Sequence, residues 1–198
     1  MRVGKCAALL SLCYLLSFFA GCASFRSGNV PRSLSFPETE RAQQESMSLN
    51  IYGAVILNGK IYRAHPKTMK NWRRQTIKAY EESGLFSGVR GNSTETDLHA
   101  EIMIVDRGEA NAFLAFLTGL TLYVIPSKAA DEFTVKTTIS DREGNTVGVF
   151  EKSETVTLWQ QLVLIVAMPF NWPASVAKEA LYDLNHATIR DARAEGIF

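Results

Sequence analysis

Every cysteine of this 198-residue chain lies within its first 22 residues, MRVGKCAALLSLCYLLSFFAGC, at Cys6, Cys13 and Cys22. No disulfide can staple the chain downstream of Cys22, so the rest must hold itself together with an apolar core. The same stretch opens with the basic residues Arg2 and Lys5. It continues through about 14 uncharged residues, Ala7–Ala20, short of the roughly 20 needed to span a bilayer core. A basic start, a short apolar run and small residues at its close are the marks of a secretory signal peptide.

The close is Phe19-Ala20-Gly21-Cys22. It resembles the lipobox of bacterial lipoproteins, in which two small residues precede an invariant cysteine. Cys6 comes too early and Cys13 follows bulky Leu12, so Cys22 alone fits. Phe19 stands where the family prefers Leu or another aliphatic residue. The resemblance implies a diacylglycerol on the Cys22 thiol, cleavage between Gly21 and Cys22, and acylation of the new amino group. Two or three acyl chains anchor a protein stably where one, at about 0.8 kcal/mol per buried CH₂, binds only marginally. In that family an Asp after the cysteine tends to retain the protein in the inner membrane. Ala23 stands here, and the resemblance implies the outer membrane, facing the periplasm.

Removing Arg2 and Lys5 with the signal takes the 21 basic residues to 19, against 20 acidic ones. Such a near-neutral exported chain is a poor candidate for nucleic-acid binding. The polar, proline-bearing stretch to residue 46 shows no sustained period and reads as a tether. A flexible chain of that length reaches about 25–30 Å. Three segments follow: a signal peptide over 1–21, a lipidated amino end and linker over 22–46, and one folded domain over 47–198.

Within the domain, the β-rich run Leu49–Leu57 leads into Asn58-Gly59, a strong hairpin signal, and a short return strand over Lys60–Ala64. Pro66 suits a helix start and Gly84 a left-handed end, with Met69, Trp72, Thr76, Ile77 and Tyr80 forming the apolar stripe. A short strand at Phe86–Arg90 follows. Leu98, Ala100, Ile102 and Ile104 then alternate in a further strand. Phe133–Ser140 and Thr146–Val156 form a hairpin about Gly144-Asn145. Pro173 opens a closing helix with Val176, Ala177, Ala180, Leu181, Leu184 and Ala187 on one side. The expected fold class is α+β: a mostly antiparallel sheet with two helices packed on one face. The helix ending Glu82-Ser-Gly-Leu-Phe-x-x-Val89, followed by an alternating strand, is similar to small envelope assembly lipoproteins of the curli-secretion type. That resemblance implies a non-enzymatic envelope role.

Two runs carry no charge, Ala110–Ser127 and Thr155–Ala177. Their apolar parts are too short to cross a membrane as helices. Either both are core, or they lie together at one end of the sheet and meet the membrane interface or a protein partner. The second reading selects Phe116, Leu122, Tyr123, Trp159, Leu164 and Trp172, the aromatic members suiting an interfacial belt. Lys67, Lys70, Arg74 and Lys78 form a basic helix face, which suits anionic head groups or an acidic partner and equally suits plain solvation.

Catalytic signatures are missing. There is no G-x-S-x-G, G-x-G-x-x-G, Walker loop or H-E-x-x-H, and His65, His99 and His186 lack metal-ligand spacing. His99-x-Glu101 echoes the zinc deaminases, but no P-C-x-x-C follows. No cofactor, metal or catalytic residue is assigned. The leading reading is a lipid-anchored envelope protein acting in assembly, scaffolding or transport, with an envelope protein as partner. The competing class is a periplasm-facing enzyme or small-ligand binder with a pocket between sheet and helices.

Overall fold

The computed structural model describes residues 21–32, 44–93 and 95–198. Residues 1–20 of the expected signal peptide (1–21) and residues 33–43 of the expected linker lie outside the described residues.

Seven strands form one sheet, six of them in the order β1-β7-β6-β5-β2-β3, with β4 pairing β2 off this path. They are β1 (Cys22–Ser27), β2 (Ser46–Leu57), β3 (Lys60–Arg63), β4 (Gly88–Gly91), β5 (Leu98–Ala110), β6 (Ser127–Ser140) and β7 (Thr146–Gln160). The helices are α1 (Pro66–Glu82), α2 (Ala112–Leu120) and α3 (Pro173–Ala194), with a short 3₁₀ turn at Leu162–Val166. The α+β architecture is as expected, with α1 and α3 packed on one face. Most pairings are antiparallel, but β2 runs parallel to both β4 and β5. A parallel neighbour requires a crossover connection, and α1 supplies it.

The alternation read in β5 is real: Leu98, Ala100, Ile102 and Ile104 are all buried beneath the helices. Val135 and Ile139 of β6 and Met47, Leu49 and Ile51 of β2 extend the same layer. From above, α1 lowers Trp72, Ala79 and Tyr80, and α3 lowers Val176, Ala180, Leu181 and Leu184. The Asn58-Gly59 turn takes left-handed backbone at both residues, with φ of 47° and 79°, the geometry that matches strand twist in two-residue hairpins. Gly84 and Gly196 also adopt positive φ, just past α1 and α3.

One expectation fails at the start of the domain. Residues 22–27, read as the opening of a tether, form edge strand β1, paired antiparallel with β7 from Cys22↔Gln160 to Ser27↔Thr155. The short polar sequence hides this because its pairing partner lies far along the chain. The uncharged runs are also partly strand: β6 begins at Ser127 and β7 continues to Gln160.

Gly53 marks the tightest approach of helix to sheet. A Cβ there would lie 2.6 Å from Cζ3 of Trp72 and 3.1 Å from Sδ of Met69. Trp72 is buried and cannot swing away. Gly53→Ala is expected to destabilise the domain by about 1–3 kcal/mol through overpacking, read as a lower urea midpoint with an unchanged slope.

Candidate functional site

The strand registers gather one end of the sheet. Leu57 lies opposite Gly108, Ala110 opposite Ala129, and Gln160 opposite both Ser127 and Cys22. Three connections leave this end, of which the two longer ones carry no charge. They are the β2–β3 turn, the excursion through α2 between β5 and β6, and the segment from Gln161 to Trp172 between β7 and α3.

The side chains there face outward. Phe113, Phe116 and Leu120 of α2 are 64–70% exposed, while the helix's one buried residue is Thr118. Leu122, Val124, Val163, Val166, Phe170 and Trp172 are exposed too, with Phe170 at 86%. Trp159 is 37% exposed, and Tyr123 and Leu164 are half-buried. The connecting parts of the uncharged runs thus lie at the surface of this end, where four of the six sequence-selected residues, Phe116, Leu122, Trp159 and Trp172, are exposed and Tyr123 and Leu164 are half-buried. Phe113, Val163, Val166 and Phe170 add to them. Their exposure was hidden because an apolar residue has the same composition signal whether it faces a core or a surface.

The backbone of these excursions is closed on itself. Asn111 caps α2, its side chain accepting from the Leu114 N–H at 3.0 Å. The Thr118 and Thr121 hydroxyls donate to the carbonyls of Leu114 and Leu117, each at 2.9 Å. The Tyr123 N–H donates to Thr118, and the Tyr123 carbonyl accepts from Leu162, joining the two excursions. Leu164, Ala167, Met168, Phe170 and Asn171 N–H groups all find carbonyls within the second excursion. Leu122 and Tyr123 hold φ of 52° and 66°, left-handed values that cost a non-glycine residue about 1–2 kcal/mol each.

Cys22 enters this end from β1. The Gly21 carbonyl accepts from the Gln161 N–H at 3.0 Å, and the Ser24 N–H donates to the Asn171 carbonyl at 2.9 Å. Burial pushes the Cys22 thiol up, opposed by a hydrogen bond with Gln160. Ala23 is fully buried, so packing alone accounts for its small size. Two residues further on, Arg26 bridges Glu154 of β7, at 2.6 Å, and Asp183 of α3, at 2.5 Å. All three side chains are at most 10% exposed.

The basic face of α1 is a solvated one. Lys67, Lys70, Arg74 and Lys78 are all exposed. Arg74 donates to Asn71, and Lys78 lies 3.8 Å from Glu82 and over the Tyr182 ring. A shallow cleft of about 380 Å³ separates it from α3, lined by Arg26, Arg32, Gln75, Lys78, Lys178 and Tyr182 among others. His99 and Glu101 lie on the sheet face away from the helices, as the alternation requires, and His65 caps α1 by accepting from the Lys67 N–H. Among the described residues no three His, Cys, Asp or Glu side chains converge as metal ligands, and no helix is long and apolar enough to cross a membrane.

Just inside the apolar end, Asp106 and Asp131 share the helix-facing side of the sheet. Burial, and then the Asp131 charge, push the Asp106 carboxyl up to about 7. Its Oδ1 is buried without a hydrogen-bond partner.

No family model matches the chain, and no curated protein matches it. Among solved structures, it is similar to a minor lipoprotein from Acinetobacter baumannii, at 15% identity and a TM-score of 0.45 over 77% of this chain and 93% of that one. It is also similar to the PelC dodecamer subunit from Paraburkholderia phytofirmans, at 11% identity and a TM-score of 0.39 over 83% and 95%. These likenesses identify no function.

Two outcomes follow from the charged groups. Arg26→Met leaves two buried carboxylates without their cation and should lower stability by about 3–5 kcal/mol. Hydrogen exchange should then rise across 155–160, where β1 covers β7. Asp106 holds its proton more tightly folded than unfolded, so its stabilising share is complete below about pH 4 and is lost as pH rises through about 7. Wild-type melting temperature should fall over that window, and Asp106→Asn should flatten the fall.

Proposed function

We propose that the chain is a bacterial envelope lipoprotein, held by lipid on Cys22, whose two uncharged excursions rest in the membrane interface. Its body then serves as a scaffold or accessory in envelope assembly or transport. One observation carries this reading: the residue that the sequence marks for lipidation sits at the end of the sheet where the exposed apolar side chains gather. Acyl chains leaving Cys22 would emerge beside Phe170 and the Leu162–Val166 turn rather than at the end of a leash.

The chemistry of that end favours lipid over water. Neither excursion carries a charged side chain, and their many internal hydrogen bonds suit an environment that offers the backbone no partners. Tyr123, Trp159 and Trp172 combine an apolar body with a polar tip, as residues at head-group level do. Leu57, Ile61 and Tyr62 at the neighbouring hairpin are exposed as well. Attachment to the outer membrane, facing the periplasm, follows from Ala23 by the lipobox resemblance. A protein partner on the apolar end is the competing occupant.

Labelled palmitate should enter the wild type and not Cys22→Ser. In vesicles containing brominated lipid, Trp159 and Trp172 of the lipidated protein should be quenched several-fold more than buried Trp72. The double variant Phe113→Asp/Phe116→Asp should keep the label and lose most of that quenching. Label with unquenched tryptophans in the wild type would assign the apolar end to a protein partner instead.

A further inference from the structure

From the junction of β1 with the 3₁₀ turn, we infer that this fold holds a seat for the acyl group on the amino nitrogen of Cys22, and so distinguishes the N-acylated protein from the free amine. The inference rests on the lipoprotein reading and deepens it.

The seat is defined by what fills it before cleavage. Gly21 is buried, and its carbonyl accepts the Gln161 N–H at 3.0 Å, continuing the β1–β7 ladder one step beyond Cys22. The space around its α-carbon is walled by backbone. A Cβ would lie 2.5 Å from the Gln161 oxygen, 2.6 Å from the Ile165 nitrogen and 3.0 Å from the Leu162 oxygen. None of these is the movable end of a side chain. The position accepts a CH₂ and nothing branched.

Cleavage removes this filling. Water divides the Gly21–Cys22 peptide bond, giving its hydroxyl to the Gly21 carboxyl and its hydrogen to the Cys22 amine. Gln161 loses its acceptor, and in its place stands an amine that is protonated at neutral pH and accepts nothing. Acylation restores the lost amide carbonyl. The amine attacks the ester carbonyl of a phospholipid, the amide C–N bond forms, and the ester C–O bond breaks. The glycerol oxygen leaves with the amine's proton.

The new amide carbonyl occupies the place of the Gly21 carbonyl. The second carbon of the acyl chain takes the place of the Gly21 α-carbon, and the third takes that of its nitrogen. A straight-chain acyl group therefore fits the walls that exclude a Cβ, and it leaves the seat toward the apolar end. N-acylation thus completes the last rung of the β1–β7 ladder and locks the 3₁₀ turn against the anchored residue.

The test compares the full mature protein from wild-type cells with the same protein from cells depleted of the N-acylating activity, both in nanodiscs. Mass spectrometry of the Cys22 peptide assigns three acyl chains to the first and two to the second. Hydrogen exchange at Gln161 and across 161–166 should be at least tenfold faster in the two-chain form, with 98–104 in β5 unchanged. Equal exchange in the two forms, with their acyl counts verified, overturns the seat and leaves the lipoprotein reading standing. A Cys22 peptide carrying no acyl group in wild-type cells overturns both.

Discussion

The amino end of the domain is a strand, and the rest of the arrangement depends on what holds it there. Backbone pairing along Cys22–Ser27 supplies register, but an edge strand of six residues is easily lost by fraying. Arg26 prevents this. Its guanidinium meets a β7 carboxylate on one side and an α3 carboxylate on the other, so strand, sheet and helix are joined through one buried cation. The Nε and Nη2 atoms both donate to Glu154, at 2.8 Å and 2.6 Å, a fork geometry that lysine could not supply. Without that cation, two carboxylates would face each other in a desolvated space, and β1 would be the element most easily expelled. The position of Cys22 relative to the sheet is therefore an electrostatic outcome as much as a hydrogen-bonding one.

Fixing Cys22 fixes the meaning of the apolar end. A helix such as α2, whose threonine is buried while its phenylalanines face out, opposes the usual drive to bury apolar area at about 25 cal/mol per Å². The strained backbone at Leu122 and Tyr123 adds to that cost. Yet the strain is tied to a contact: it turns the Tyr123 carbonyl onto the Leu162 N–H, which binds the α2 excursion to the segment beside Cys22. The two loops are thereby held as one surface beside Cys22. An amphipathic segment that had simply failed to find the core would not carry such a link.

Much of the fold was readable because local rules act there. Alternation in β5, the Asn58-Gly59 turn, and proline and glycine at the helix ends each depend on residues within a turn or two of one another. Strand β1 was not readable, because Ala23-Ser-Phe-Arg-Ser27 has no sustained pattern and its partners are Thr155–Trp159, more than 120 residues away. The parallel pairing of β2 with β5 was missed for the same reason, since neither strand's own sequence says which way its neighbour runs. The candidate site was half legible. Phe116, Leu122, Tyr123, Trp159, Leu164 and Trp172 could be selected from the missing charges in two runs, but only the strand registers bring those runs to the end that holds Cys22.

The opposite end of the sheet has the contrary chemistry, and this gives the molecule an axis. There Asp97 accepts from the Ser46 N–H and hydroxyl at 2.9 Å and 2.7 Å and pairs with Arg142, while the β6–β7 turn closes on Asp141 and Asn145. Strand β7 connects the two ends in 15 residues, about 45–50 Å at roughly 3.3 Å per residue. On the lipoprotein reading, strands that begin in the interface carry this polar rim well beyond the head groups. They also present the helix-free face of the sheet, with Tyr52, Met103 and Val149 exposed along it, at right angles to the bilayer. A tethered domain would sample every orientation and could offer no such constant face. A strand-held anchor turns the same residues into a surface of fixed height and direction, which is the property that a scaffold requires.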